Sequence, residues 1–513
     1  MAITSWQEKA QEARDYRDAS LAKVKPPIGP LPLSLPVNSL ELPKQHLTPR
    51  EYELTQEYDA IQLLAMLKEK EVTSEELTRA FLRRAALAQA AVNCVTELMW
   101  DDAIERAKFL DAQAEPVGPL HGLPFSVKQQ HGMRGKPCHA SYVAWIGEPS
   151  TINPINDILW DAGCVFYVRT TEPQSTMHLE CNNNITGRTV NPYNRNLTPG
   201  GSTGGEGALL GYGASVFGMG GDIGGSVRGP ASNNGVYGFK PTSKRLPLRG
   251  MKCAMIGNET VMPTFGPLTR RRETINLFMD VVLTAEPWRL DPGLFSKSWT
   301  PVSLEKPLKV AIQWDDGVVK SHPPMLRALR EVAQACRNAG MEVVDWVSYE
   351  HEKAWDILSR LYFPDGGLDT IEVIEKSGEP LVPLTEWIIN QPGVRKLDIR
   401  KLWALCGERD AYRAAHAAHW SDTADADRHE VDVILCPAVP GAAPPHECAR
   451  CWDYTAQWNL LDYPAVVFPV TYVDAQKDPA NAEYTPLNSQ DKFNHELYDP
   501  NLYGGAPVCL QVV

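Results

Sequence analysis

Between Pro199 and Thr242 the chain reads PGGSTGGEGALLGYGASVFGMGGDIGGSVRGPASNNGVYGFKPT. So much glycine around two serines, Ser202 and Ser226, limits how the segment can fold. Glycine costs backbone entropy, so such a cluster implies close main-chain approach, positive φ angles, or N–H groups aimed at a ligand. Upstream, Pro119-Leu120-His121-Gly122-Leu123-Pro124-Phe125-Ser126-Val127-Lys128 delivers one lysine at the end of a short apolar run. Two serines, one lysine and a glycine-lined loop are the parts of a nucleophilic acyl-transfer site.

Shorter motif matches fail on context. Gly200-Gly201-Ser202-Thr203-Gly204 fits the G-x-S-x-G nucleophile elbow, but that elbow needs a strand leading into the serine. Here Val190–Pro199 leads in as a loop. A phosphate-binding P-loop needs a G-K-[ST] ending, and neither glycine run contains lysine. A dinucleotide fingerprint needs an apolar strand before its glycines, and this lead-in is polar.

GGSTGGEGA, GGDIGGSVRGPA followed by GVYGFKPT, and the upstream PLHGLPFSVK together resemble the amidase signature family, most closely its fungal acetamidase type. The similarity runs from about Glu75 to ELYDPNLYGGAPVCLQVV at Glu496–Val513 and covers most of the chain. It implies an α/β fold with one large mixed, mostly parallel twisted sheet covered by helices. It also implies a Ser–cis-Ser–Lys triad, with Ser226 as nucleophile, Ser202 as the bridging serine after a cis peptide bond, and Lys128 as base. Ile223, Gly224, Gly225 and Ser226 are then the oxyanion-hole donors. Thr176 and Met177, with Ser202, are expected to touch the acyl group. Arg228 and Asp222 flank the nucleophile and are expected to fix its loop. No cofactor and no metal are implied.

The chemistry agrees. A solvated lysine is protonated at neutral pH, but burial lowers its pKa. Neutral Lys128 could take a proton from Ser202, which takes one from Ser226 as that residue attacks a carbonyl. The expected activity is hydrolysis of a carboxylic amide to acid plus ammonia or amine through an acyl-enzyme. Three departures from the family pattern motivate an alternative, an incomplete or non-catalytic homologue. Gln129 stands where the family usually has Asp, Gly221 where it has Thr, and the chain stops at Val513 before the family's usual closing helix. Dimerisation is one way to cover the apolar surface that such a helix would bury. An aminoacyl-tRNA amidotransferase subunit shares the catalytic core, but the acidic charge balance and the acetamidase-like flanks disfavour it.

Composition sets the remaining bounds. Hydrophobic residues make up 43% of the 513 and charged residues 22%, as in ordinary globular chains. A net charge of −13 argues against nucleic-acid partners, which want a basic face. The mild apolar stretch at Ala208–Gly220 is too short and glycine-broken to span a membrane. The N-terminus lacks the pattern of a secretory signal. Eleven dispersed cysteines suit a reducing compartment, so a cytoplasmic location is expected.

Residues 1–24 read as a charge-rich amphipathic helix and Lys25–Pro43 as a proline-rich linker, so 1–44 precedes an amidase domain over 45–513. Thr73 with Glu76 reads as a capping box for a helix over Ser74–Ala91. Leu123–Val127 and Cys164–Val168 read as buried strands. Lys309–Gln313, a helix over Pro324–Ala339 and Glu342–Trp346 read as a β-α-β unit, and Val431–Cys436 and Ala465–Val470 add two strands. The Gly504–Val513 run is expected to enter the sheet. Cys448 and Cys451 with His446 have ligand-like spacing, but a structural zinc needs four ligands. His416 and His419, at i and i+3, are expected on a polar helix face.

Overall fold

The computed structural model describes residues 5–303 and 307–513. Thirteen strands form among the described residues: β1 Val95–Leu98, β2 Pro124–Lys128, β3 Val165–Thr170, β4 Asn182–Asn183, β5 Gly187–Arg188, β6 Phe217–Asp222, β7 Tyr237–Lys240, β8 Thr264–Thr269, β9 Lys309–Ile312, β10 Glu342–Asp345, β11 Val433–Pro437, β12 Ala465–Tyr472 and β13 Pro507–Val512. Eleven make one sheet in the order β1-β3-β2-β6-β8-β7-β12-β13-β11-β9-β10, and β4 with β5 forms a short ribbon. Helices cover the sheet.

The sheet is mixed, as expected, but its parallel pairing is confined to β3-β2-β6 and β11-β9-β10. The other six neighbouring pairs run antiparallel, which corrects the expected parallel majority. Apolar runs such as β2 and β3 are buried along their whole length, and that pattern reports burial rather than strand direction.

The expected elements form, with bounds shifted by a few residues. β9, the helix Pro323–Asn338 and β10 make the β-α-β unit, with β9 and β10 parallel. The C-terminal run enters the sheet as β13 between β11 and β12, with Val508, Cys509 and Leu510 fully buried. The first helix spans Trp6–Leu21 behind a Ser5/Glu8 capping box, and positions 1–4 of the expected helix lie outside the described residues. It lies against β1, where Tyr16 donates to Glu97 at 2.6 Å.

The helix Ser74–Val92 starts as expected at Thr73, whose hydroxyl accepts the Glu76 N–H at 3.1 Å. The reciprocal half of the box is replaced: the Glu76 carboxylate accepts from Arg50 at 3.0 Å instead. This helix helps enclose the core beneath β2, where Phe125 meets Phe166 and Phe217 edge to face at 5.3 and 4.8 Å. That aromatic packing fixes β2 between β3 and β6 and sets the position of its last residue, Lys128.

Candidate active site

Lys128 is fully buried at the C-terminal end of β2, and its Nζ donates to Ser202 Oγ at 2.8 Å. Ser202 follows a cis peptide bond from Gly201. A Cβ at Gly201 would lie 2.1 Å from the Glu180 carbonyl oxygen, so only glycine allows the main chain this close. Ser202 and Ser226 are both buried, and both open onto a cavity of about 590 Å³. Thr176 and Met177 line the same cavity. The fold thus brings Lys128 and Ser202 into contact and places Ser202, Ser226, Thr176 and Met177 on one cavity.

The loop after β6 shapes the floor of the site. Tyr362 Oη donates to the Ile223 carbonyl at 2.6 Å, and Thr455 Oγ1 donates to the Gly224 carbonyl at 2.7 Å. These bonds hold both carbonyls in place. The N–H groups of Ile223, Gly224 and Ser226 have no acceptor among the described residues. Buried main-chain donors are nearly always paired, so free ones beside a cavity mark a place for an anionic oxygen. Gly225 departs from expectation. Its N–H donates to Asp222 Oδ1 at 2.8 Å and is committed to the loop itself. The reason is local: Asp222 closes a turn over the loop and collects its N–H groups, including Val227 at 3.2 Å.

Asp222 and Arg228 form a fully buried ion pair, with Arg228 Nε 3.0 Å from Asp222 Oδ2 and Nη2 3.0 Å from Oδ1. Asn459 donates to the carboxylate at 3.0 Å and accepts from Arg228 at 2.6 Å. Gln511 on β13 accepts from Arg228 Nη1 at 3.3 Å. Burial opposes charge on Asp222, but the Arg228 guanidinium and these hydrogen bonds outweigh it and hold the carboxyl well below its usual range. The pair holds the loop that carries Ser226.

Burial pulls the Lys128 ammonium below its ordinary range, while Glu172, Cys181, Glu206 and Asp222 act in the opposite sense. Glu172 and Glu206 were not singled out by the sequence reading. Burial pushes the Glu206 carboxyl up to about 7, against hydrogen bonds from Ser126 at 2.6 Å and Thr170 at 2.8 Å. Only a dense apolar surround could have signalled either acid, and that surround comes from strands distant in sequence.

Gln129 and Gly221, two of the departures from the family pattern, are accommodated at the site. The Gln129 amide oxygen accepts the Ala140 N–H at 2.9 Å and organises the neighbouring loop. At Gly221 an added Cβ would meet nothing closer than 3.7 Å, so the glycine leaves space rather than strain. Ser175 and Thr176 hold positive φ angles of 64° and 57° beside the cavity, a backbone state rare outside glycine and concentrated at ligand sites.

Among the described residues, one acid–histidine group converges as metal ligands would: Glu342, Asp425 and His429. Lys309 Nζ lies 3.7 Å from Glu342 and 3.6 Å from Asp425 and supplies positive charge there. Cys448, Cys451 and His446 form no such group among these residues, and the His446 Nε2 lies 3.1 Å from the Arg195 carbonyl. His416 contradicts the expected polar face. It is fully buried against Trp346, Trp420, Trp458 and Tyr463, because its side of the helix Ile399–Ser421 packs onto aromatic residues. No helix among the described residues is long and apolar enough to cross a membrane.

Comparison with known proteins agrees with this geometry. The family model for amidases matches residues 76–513. A relative from Schizosaccharomyces pombe is 44% identical over 99% of this chain and 96% of its own. An acetamidase from Emericella nidulans is 37% identical over 99% of this chain and 95% of its own. The solved structure of a fatty acid amide hydrolase superposes with a TM-score of 0.93 at 33% identity, over 99% of this chain and 91% of its own. The chain belongs to the amidase signature family, whose enzymes hydrolyse amide bonds.

Proposed function

We propose that the protein hydrolyses a carboxylic amide through an acyl-enzyme at Ser226. The observation that carries this reading is the buried 2.8 Å hydrogen bond from Lys128 Nζ to Ser202 Oγ at the edge of the cavity onto which Ser226 opens. Neutral Lys128 takes the Ser202 proton, Ser202 takes the Ser226 proton, and Ser226 Oγ bonds to the amide carbon. The carbonyl oxygen becomes an oxyanion met by the free N–H groups of Ile223, Gly224 and Ser226. One such donor is worth roughly 3–4 kcal/mol to a transition state. The proton returns through Ser202 to the departing amine as the C–N bond breaks. Water then enters, loses a proton along the same relay and releases the acid, restoring Ser226.

The cavity bears on the substrate. Its volume of about 590 Å³ and its apolar wall of Met177, Leu248, Met251, Met255 and Met262 fit an apolar group much larger than acetyl. Relatives carry the names acetamidase and fatty acid amide hydrolase, which set two ends of a size range. For this chain the cavity favours the larger end. Ammonia release from a panel running from acetamide to longer alkyl and aryl amides tests the reading, with Ser226→Ala as control. Turnover of the larger members, absent in Ser226→Ala, is the expected result. No turnover across the panel, or equal turnover in Ser226→Ala, contradicts it.

A further inference from the structure

Glu172 has no exposed surface, yet its carboxyl is only half partnered. Oε2 accepts the Gln130 N–H at 3.3 Å, whereas Oε1 has no hydrogen-bond partner. Buried carboxylate oxygens are rarely left alone, so this one calls for an explanation. The residue follows β3, and Gln129 N donates to the Thr170 carbonyl at 3.1 Å. That bond ties the segment carrying Glu172 to the residue after Lys128.

The other groups acting on Lys128 are already committed. Glu206, on the helix Gly204–Gly211, accepts one hydroxyl on each oxygen, from Ser126 and Thr170. Asp222, ending β6, is neutralised by Arg228. Burial pushes the Cys181 and Cys138 thiols up and keeps them neutral. Burial, then the charges of Lys128 and Arg169, hold the His131 ring neutral. Arg169, the other cation acting on Glu172, spends its guanidinium on the Pro137 and Gln129 carbonyls at 2.7 and 2.9 Å and on Glu97 at 3.4 Å. Of the carboxylates acting on Lys128 among the described residues, Glu172 is the one with a partnerless oxygen.

We propose that Glu172 is a positioning residue acting through Lys128: its buried, half-partnered carboxylate sets the pH at which the lysine gives up its proton. The inference rests on reading Lys128 as the base. A nearby carboxylate stabilises the ammonium, and burial of both groups strengthens that interaction. Two further facts agree. Burial disfavours charge on the Glu172 carboxyl while the Lys128 charge favours it, and the Glu172 charge in turn favours the Lys128 ammonium. The two groups answer to each other.

The test is the pH dependence of inactivation by a fluorophosphonate, measured in wild type, Glu172→Gln, Glu172→Asp and Lys128→Ala, with thermal melts to check folding. Gln keeps the shape and can accept the Gln130 N–H without charge. Removing a neighbouring carboxylate should move the rising limb about one pH unit lower. Well below the wild-type limb, Glu172→Gln should then react about tenfold faster, and above it the two rates should converge. Glu172→Asp keeps the charge and should leave the limb nearer to its wild-type position. A limb unmoved in folded Glu172→Gln overturns the inference; if the Gln variant does not fold, a limb lowered by the full unit in folded Glu172→Asp, which keeps the charge, overturns it. If the limb survives in Lys128→Ala, the base assignment itself fails and the inference falls with it.

Discussion

Lys128 Nζ and Ser202 Oγ are 2.8 Å apart at a site where the lysine is fully buried and the serine opens onto the substrate-sized cavity. A protonated lysine in that place would be a donor only. A neutral one can accept, and burial drives it toward neutrality. In the proposed mechanism this bond is one end of the proton relay.

The first prediction follows from the sign of that shift. The folded-state pKa of Lys128 lies below the ordinary 10.5, so kcat/KM should rise with pH as the free enzyme loses this proton. Lys128→Ala should lose the limb. The stability consequence has the same sign. Between the lowered folded value and 10.5, the unfolded chain binds the proton and the folded chain does not. The contribution of Lys128 to stability therefore rises with pH across that window. Comparing unfolding of wild type and Lys128→Met through it checks this, and a constant difference between the two contradicts it.

Asp222 shows the same sign of pH dependence at the acid end. Its folded pKa lies below the ordinary 3.8, so its stabilisation is complete above 3.8 and is lost as pH falls through the folded value. Asp222→Asn leaves Arg228 buried without a countercharge and should cost about 3–5 kcal/mol at neutral pH. It should also slacken the loop carrying Ser226, which Asp222 holds through the Gly225 and Val227 N–H groups. Denaturant unfolding measures the first effect and fluorophosphonate reactivity the second. A wild-type unfolding midpoint would refute the structural role.

How far the site was legible depends on which residues carried it. Lys128, Ser202 and Ser226 stand inside ordered motifs, so their convergence could be read before any fold was known. The commitment of the Gly225 N–H could not, because it depends on where Asp222 turns its carboxylate. Glu172 and Glu206 look like ordinary surface acids in the sequence and become buried only when β2, β3 and β6 assemble around them. His416 was misread for a similar reason: its i, i+3 spacing with His419 says nothing about the aromatic residues of other segments that cover it. In the sheet, apolar runs located the strands, but their order and direction depend on long-range pairing.

Two glycines with different surroundings test the loop geometry. Gly225 has φ 122°, and an added Cβ would lie 2.3 Å from Thr455 Oγ1. Gly225→Ala should therefore displace the loop and abolish reactivity at Ser226. An added Cβ at Gly221 meets ordinary contacts, so Gly221→Ala should retain both fold and activity. The pair is measured by thermal melts and amide turnover, and equal behaviour of the two variants would contradict this account.

The most direct test of the central claim is to react the protein with a fluorophosphonate and locate the adduct by peptide mass spectrometry. The account predicts one adduct, on Ser226, lost in Ser226→Ala and strongly reduced in both Ser202→Ala and Lys128→Ala, whose effects should not add because they belong to one relay. An adduct on Ser202 in the wild-type protein, or labelling that persists in Ser226→Ala, would contradict it.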